Sequence, residues 1–144
     1  MASVSSPSGT QAHPIRVLLV DDAARVRSEL RRLLELSGLI EVAGEAGDGL
    51  EAIRLAAQLS PDVILMDLEM PTLDGLEATR QIKALQPAPR VVILSVHARP
   101  DEVESAREAG ADCYVVKGAD YHTLVNAILD EDPSKKPVEK GEKS

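Results

Sequence analysis

Phenylalanine and tryptophan are absent, and tyrosine occurs only twice in 144 residues. A platform for stacking single-stranded nucleic-acid bases therefore has nothing to be built from. The core must be filled by Leu, Ile, Val, Ala and Met, and a hydrophobic content of 44% is enough for one domain of this length. The single cysteine, Cys113, rules out an intrachain disulfide and a thiolate metal cluster. Inside an apolar run it reads as a small buried side chain. Basic residues are the minority charge, 16 Lys and Arg against 24 Asp and Glu, for a net charge of −8. Phosphate-driven nucleic-acid binding by this chain is disfavoured on that balance. The acid excess lies within residues 15–130, which suits a site that gathers cations. No apolar run approaches the roughly 20 residues that cross a bilayer, and the start lacks a basic segment followed by an apolar one. A soluble, cytoplasmic protein without membrane contact is expected.

What is present is an alternation of short apolar runs and amphipathic stretches. Residues 1–14 are rich in Ser, Pro, Ala and Gly and read as a disordered tail. Ile15–Val20, Ile40–Ala43, Asp62–Asp67, Arg90–Ser95 and Cys113–Val116 read as strands. The runs at 62–67 and 90–95 show no polar alternation, as in a parallel sheet covered on both faces. Glu41 and Glu45 flank the second run and mark it as an edge. Helices are predicted over about 23–37, 49–59, 75–85, 100–109 and from 120 or 121 to about 129. Their inward faces are predicted to hold Val26, Leu30, Leu33 and Leu34; Leu50, Ile53 and Ala57; Leu76, Thr79 and Ile82; Val103, Ala106 and Ala109; and Leu124, Val125, Ile128 and Leu129. Asp48 is placed to cap the second helix and Pro100 to open the fourth. Residues 131–144 form a charged tail or linker, leaving 15–130 as the folded domain. The fold class is α/β, a doubly wound (βα)5 unit around a five-stranded parallel sheet. Right-handed crossovers put helices on both faces but leave the strand order open.

In such a sheet all carboxyl ends lie on one rim, where ligands bind. The strands leave Asp21 and Asp22, Asp67, Ser95 and Lys117 there. Three carboxylates cannot crowd together ionised without compensation. A hard divalent cation resolves the repulsion, and Mg²⁺ leaves room for phosphate oxygens. Lys117 and Ser95 supply a point charge and a hydroxyl donor for a phosphoryl group. With those partners Asp67 is a candidate nucleophile. Taken singly, each residue has a plainer use: Asp21 or Asp22 as a helix cap, Ser95 in a turn, Lys117 on the surface. Their coincidence at strand ends favours the chemical reading.

Several features together resemble the receiver domain of two-component response regulators. They are Asp21-Asp22, Met66-Asp67-Leu68-Glu69-Met70-Pro71 with Asp74-Gly75, Ser95, and Tyr114-Val115-Val116-Lys117. The match spans about Ile15 to Leu129. The stretch from Asp62 to Pro71 and the pair Lys117-Gly118 are similar to the branch often fused to LuxR-type helix-turn-helix domains. The resemblance implies that Asp67 accepts a phosphoryl group from a sensor histidine kinase or phosphotransfer protein. It implies Mg²⁺ held by Asp22 and Asp67, by Asp21 directly or through water, and by the Glu69 backbone carbonyl. Lys117 would pair with the acyl phosphate, while Ser95 and Tyr114 would form the switch. The output surface would be the fourth helix, fifth strand and fifth helix, with Arg99, Glu104, Arg107, Asp112, His122 and Asn126 available for cross-subunit pairs in a phosphorylation-dependent homodimer. Gly118 stands where many family members carry proline after a cis bond, so a cis bond is not expected there.

Three other readings share parts of this pattern. A haloacid-dehalogenase-like phosphatase also uses an Asp nucleophile, but wants Asp-x-Asp after the first strand. A receiver fold serving as an unphosphorylated docking adaptor would not need the complete set Asp22, Asp67, Ser95 and Lys117. A flavodoxin-like FMN carrier would want a Ser/Thr-rich loop after the first strand. His97 and His122 have no ligand spacing and read as surface residues, and His13 as part of the tail.

Overall fold

A computed structural model describes residues 13–70 and 74–129. The tails expected at 1–14 and 131–144 lie outside the described residues, save His13 and Pro14, and so does Pro71. Five strands, β1 (Ile15–Val20), β2 (Ile40–Ala46), β3 (Val63–Asp67), β4 (Arg90–Ser95) and β5 (Cys113–Val116), form one parallel sheet in the order β2-β1-β3-β4-β5. Five helices alternate with them: α1 (Ala24–Glu35), α2 (Gly49–Leu59), α3 (Gly75–Lys83), α4 (Pro100–Ala109) and α5 (Tyr121–Leu129). The doubly wound α/β class holds. The order reverses at β1, and the crevice there opens between β1 and β3.

The sheet separates two cores. On one face Leu34 of α1 and Leu124, Val125 and Ile128 of α5 pack on Val17, Leu19, Leu65 and Val92. On the other, Ala52 and Ala56 of α2, Ala78 and Ile82 of α3 and Ala106 of α4 pack on Leu18, Ile64, Met66 and Ile93. In a chain without Phe or Trp, small alanines bring three helices close to the sheet, and aliphatic strand residues fill the space between. Every residue of β3 is buried, as its unbroken apolar run requires.

The structure corrects three sequence expectations. β2 extends to Ala46 rather than stopping at Ala43, because Gly44, Glu45 and Ala46 pair with Leu18, Leu19 and Val20 after a register shift past Ala43. Helix α2 turns Gly49, Ala52 and Ala56 inward, while Leu50 is 57% exposed and Ala57 lies on the wet side. A count of apolar residues favoured Leu50, but close helix–sheet packing selects the small side chains. In α1, Leu34 is buried but Leu33 is 43% exposed. Leu33 instead lines a groove of about 380 Å³ with Val26, Leu30 and Tyr121.

Local signals set the helix ends. Asp48 Oδ1 accepts from Glu51 N–H and Asp74 Oδ1 from Glu77 N–H, both at 2.9 Å, capping α2 and α3. Pro100 opens α4. Helix α1 has no such cap: its N-cap is Ala23, and neither Asp21 nor Asp22 serves there.

Candidate functional site

Asp67 ends β3, Asp21 and Asp22 follow β1, Ser95 ends β4 and Lys117 follows β5. Parallel pairing puts these ends on one rim, and side-chain distances show how far they converge. Carboxylate oxygens of Asp21, Asp22 and Asp67 lie within 4.8 Å of one another. Lys117 Nζ reaches 3.4 Å from Asp67 Oδ1 and 3.6 Å from Asp21 Oδ2. Asp21 and Asp67 are almost fully buried, at 3% and 2% exposure, whereas Asp22 is open to solvent.

The backbone around the acids is tightly committed. Asp67 Oδ1 accepts from Glu69 N–H at 3.1 Å, which folds the chain back after β3. Gly75 then starts α3 directly against that turn. A Cβ at Gly75 would lie 2.6 Å from the Asp67 carbonyl oxygen and 2.9 Å from Leu68 Cα, so only glycine admits this approach. Asp21 N–H donates to the Ala46 carbonyl at 3.1 Å, and Asp21 Oδ1 accepts from Ala23 N–H at 2.9 Å. Asp21 Oδ2 is buried, and no hydrogen-bond donor among the described residues reaches it. A buried carboxylate oxygen without a donor is costly unless a cation or a compensating charge faces it.

The electrostatics follow from this crowding. Burial first, and then the neighbouring Asp21 charge, push Asp67 up from 3.8 to about 6, against the pull of Lys117 and of Glu69 N–H. Burial alone would lower Lys117, but the Asp67 and Asp21 carboxylates outweigh it and hold the amine above its ordinary value. The single ammonium does not neutralise the three acids. The donor set, all hard oxygens around one buried lone pair, fits a small divalent cation that keeps part of its water shell. Of the sequence candidates for that cation, Asp21, Asp22 and Asp67 are brought together; Glu69 is held beside them by its own N–H bond to Asp67.

Ser95 is fully buried. It stands one position beyond Leu94, the register partner of Asp67. Lys117 N–H donates to the Ser95 carbonyl at 2.6 Å, joining the ends of β4 and β5. Tyr114 points its hydroxyl to the His97 carbonyl at 2.9 Å, and burial raises its pKa. The ring is thus tied to the loop that follows Ser95. The Lys117–Gly118 bond is not cis, and Gly118 takes a left-handed φ of 96°.

On the expected output face, Asp112 Oδ2 accepts from Lys83 Nζ and from Val91 N–H, both at 2.8 Å. These bonds staple α3 to β4 within the chain. Arg99, the N-cap residue of α4, pairs with Glu102 at 3.7 Å, and Arg107 with Glu104 within α4 at 3.4 Å. His97, His122 and Asn126 are exposed.

The sequence reading marked Glu45 only as a strand flank and gave Arg27 no role, whereas the structure joins them. Arg27 Nε bonds Glu45 Oε1 and Arg31 Nε bonds Glu45 Oε2, both at 2.9 Å, and one guanidinium N–H of Arg27 donates to the Asp21 carbonyl. A signal was available: arginines near the amino end of α1 oppose the helix dipole, so another interaction had to hold them there.

Comparison with known proteins agrees with this geometry. The family model described as the response regulator receiver domain matches residues 17–129. The transcriptional regulatory protein LiaR of Bacillus subtilis is 47% identical over 114 residues, covering 79% of this chain and 54% of LiaR. The chain therefore spans about half the length of that curated relative. Among solved structures, the signal receiver domain of NarL from Mycobacterium tuberculosis superposes with a TM-score of 0.78 at 35% identity, covering 82% of this chain and 95% of that one. A LuxR-family two-component response regulator from Aurantimonas sp. SI85-9A1 does so with a TM-score of 0.77 at 36% identity, covering 89% and 98%.

Proposed function

Because the chain belongs to the response regulator receiver domain family, we propose that it is a phosphorylation-activated signalling switch with Asp67 as its phosphoacceptor. The observation that carries this reading is the Lys117 ammonium 3.4 Å from Asp67 Oδ1, beside a buried Asp21 oxygen with no hydrogen-bond donor among the described residues. We assign residues 15–130 as the receiver domain and 131–144 as a tail or linker.

Asp67 attacks the phosphorus of a phosphohistidine on a sensor kinase or phosphotransfer protein. The O–P bond forms as the N–P bond breaks, and the electron pair leaves with the imidazole. Lys117 balances charge on the phosphoryl oxygens, and Ser95 offers its hydroxyl to one of them. Asp22 and Asp67, Asp21 directly or through water, and the Glu69 carbonyl would hold Mg²⁺, which would supply the remaining positive charge. Asp67 near pKa 6 is ionised at neutral pH and thus competent to attack. When Ser95 turns to the phosphoryl group, the Tyr114–His97 bond is the contact that must break for the ring to move inward. These two residues are the bistable element that both states bias. The α4–β5–α5 face carries the change to an output domain or a second copy of the chain.

This is a self-phosphorylating switch rather than a turnover enzyme. Acetyl phosphate with Mg²⁺ is expected to label the protein once per chain, while aryl phosphate monoesters are not turned over repeatedly. Sustained monoester hydrolysis would move the assignment to an Asp-nucleophile phosphatase. Failure to label at all would leave a docking adaptor.

A further inference from the structure

The loop after β1 keeps two acids aimed at the rim although α1 has no side-chain cap to anchor it. Asp21 is held at three of its four polar atoms. Its N–H goes to the Ala46 carbonyl, its Oδ1 takes the Ala23 N–H, and its carbonyl takes a guanidinium N–H of Arg27. Only Oδ2 remains, and it faces the site. The carbonyl bond fixes the plane of the peptide joining Asp21 to Asp22, and hence the direction in which the exposed Asp22 leaves the strand. Arg27 is itself fixed. Its side chain is 18% exposed, and its Nε is bound to Glu45 on β2, which also binds Arg31. The two arginines hold Glu45 below the ordinary carboxylate range, against the effect of burial.

We propose that Arg27, braced by Glu45, is a positioning residue for the divalent cation: it orients the Asp21–Asp22 peptide so that both carboxylates meet the ion. The inference rests on the receiver reading of this site. Its physical content is that a cationic side chain promotes cation binding. Coulomb repulsion alone predicts the reverse, since removing a positive charge beside an acidic site should tighten Mg²⁺. Partners that orient metal ligands from behind are typically worth about 10- to 100-fold in metal affinity.

The test is Mg²⁺ titration by calorimetry of wild type, Arg27→Gln, Arg27→Lys, Arg31→Gln and Asp67→Asn, with thermal melts of each. Arg27→Gln is expected to weaken Mg²⁺ by about 10-fold. Arg27→Lys, which keeps the charge but cannot reach both Glu45 and the carbonyl, is expected to weaken it too. Arg31→Gln removes the same charge from the same glutamate without touching Asp21, and is expected to stay within about twofold of wild type. In metal-free protein, the Asp22 and Ala23 amides of Arg27→Gln are expected to exchange faster than in Arg31→Gln. Unchanged or tighter Mg²⁺ binding by Arg27→Gln overturns the inference, as does equal weakening by Arg31→Gln. If Arg27→Gln does not fold, Arg27→Lys decides in the same way. Wild type that binds no Mg²⁺ would instead defeat the site assignment, a result distinct from wild type binding while both Arg27 variants match it.

Discussion

As the proposed phosphoacceptor, Asp67 carries two opposed demands, since it must be buried to meet Lys117 and ionised to react. Its pKa of about 6 records the compromise. The folded-state value lies above the unfolded one near 3.8, so the ionised carboxylate costs stability above pH 6 and the cost fades as pH falls from 6 toward 4. Asp67→Asn is therefore expected to stabilise the metal-free protein by about 3 kcal/mol at pH 7. The gain should vanish near pH 4 and shrink when Mg²⁺ binds the wild type. Thermal melts across that pH range check it, and a destabilised Asn variant at pH 7 would contradict it. Lys117 sits between two carboxylates, and its loss leaves both facing each other. Lys117→Ala is expected to keep the fold but to uncouple phosphorylation from the change at Ser95 and Tyr114. Tyr114 amide and ring shifts on phosphorylation should be lost, and a variant that shifts as wild type does would refute the role. Asp21, Asp22, Asp67, Ser95 and Lys117 were readable because each follows an apolar run whose end is unambiguous. Arg27 and Glu45 were not, because their pairing depends on β2 lying beside β1 and on α1 folding back over it.

At the level of elements, the turn after β3 is the most constrained part of the rim. Gly75 brings the first turn of α3 against the Asp67 carbonyl, closer than any Cβ allows. Gly75→Ala is expected to cost about 1–3 kcal/mol through displacement of that turn, and to lower the phosphorylation rate because Asp67 moves with it. Urea unfolding and labelling kinetics measure the two effects. A variant with wild-type stability would show that the contact relaxes freely. The contrast between β3 and β2 shows what a sequence can disclose about an element. An unbroken apolar run, Val63–Met66, bounded by Asp62 and Asp67, fixes a strand without knowledge of its neighbours. Gly44-Glu45-Ala46 lies beyond the apolar run at 40–43, and its strand character shows only in the pairing with Leu18–Val20. Helix faces follow the same logic. α3 and α5 were legible because their large aliphatics all point inward, whereas α2 buries alanines and leaves Leu50 in water.

For the whole molecule, alternation of runs and helices specified a doubly wound sheet, and handedness placed helices on both sides. Neither specified the order β2-β1-β3-β4-β5, because right-handed crossovers are compatible with several orders. The order matters for function: with β1 and β3 adjacent, Asp21 and Asp67 become neighbours, and with β4 and β5 beyond β3, Ser95 and Lys117 come within reach of the same acid. No helix among the described residues is long and apolar enough to cross a membrane. The chain spans about half the length of a relative such as LiaR. The central claim is that this rim is one magnesium-dependent phosphoacceptor built on Asp67. Intact-mass analysis after incubation with acetyl phosphate, in Mg²⁺ or in chelator, addresses it most directly. The account predicts one added phosphoryl group on wild type with Mg²⁺, none in chelator, and none on Asp67→Asn; a full label on the Asn variant would contradict it.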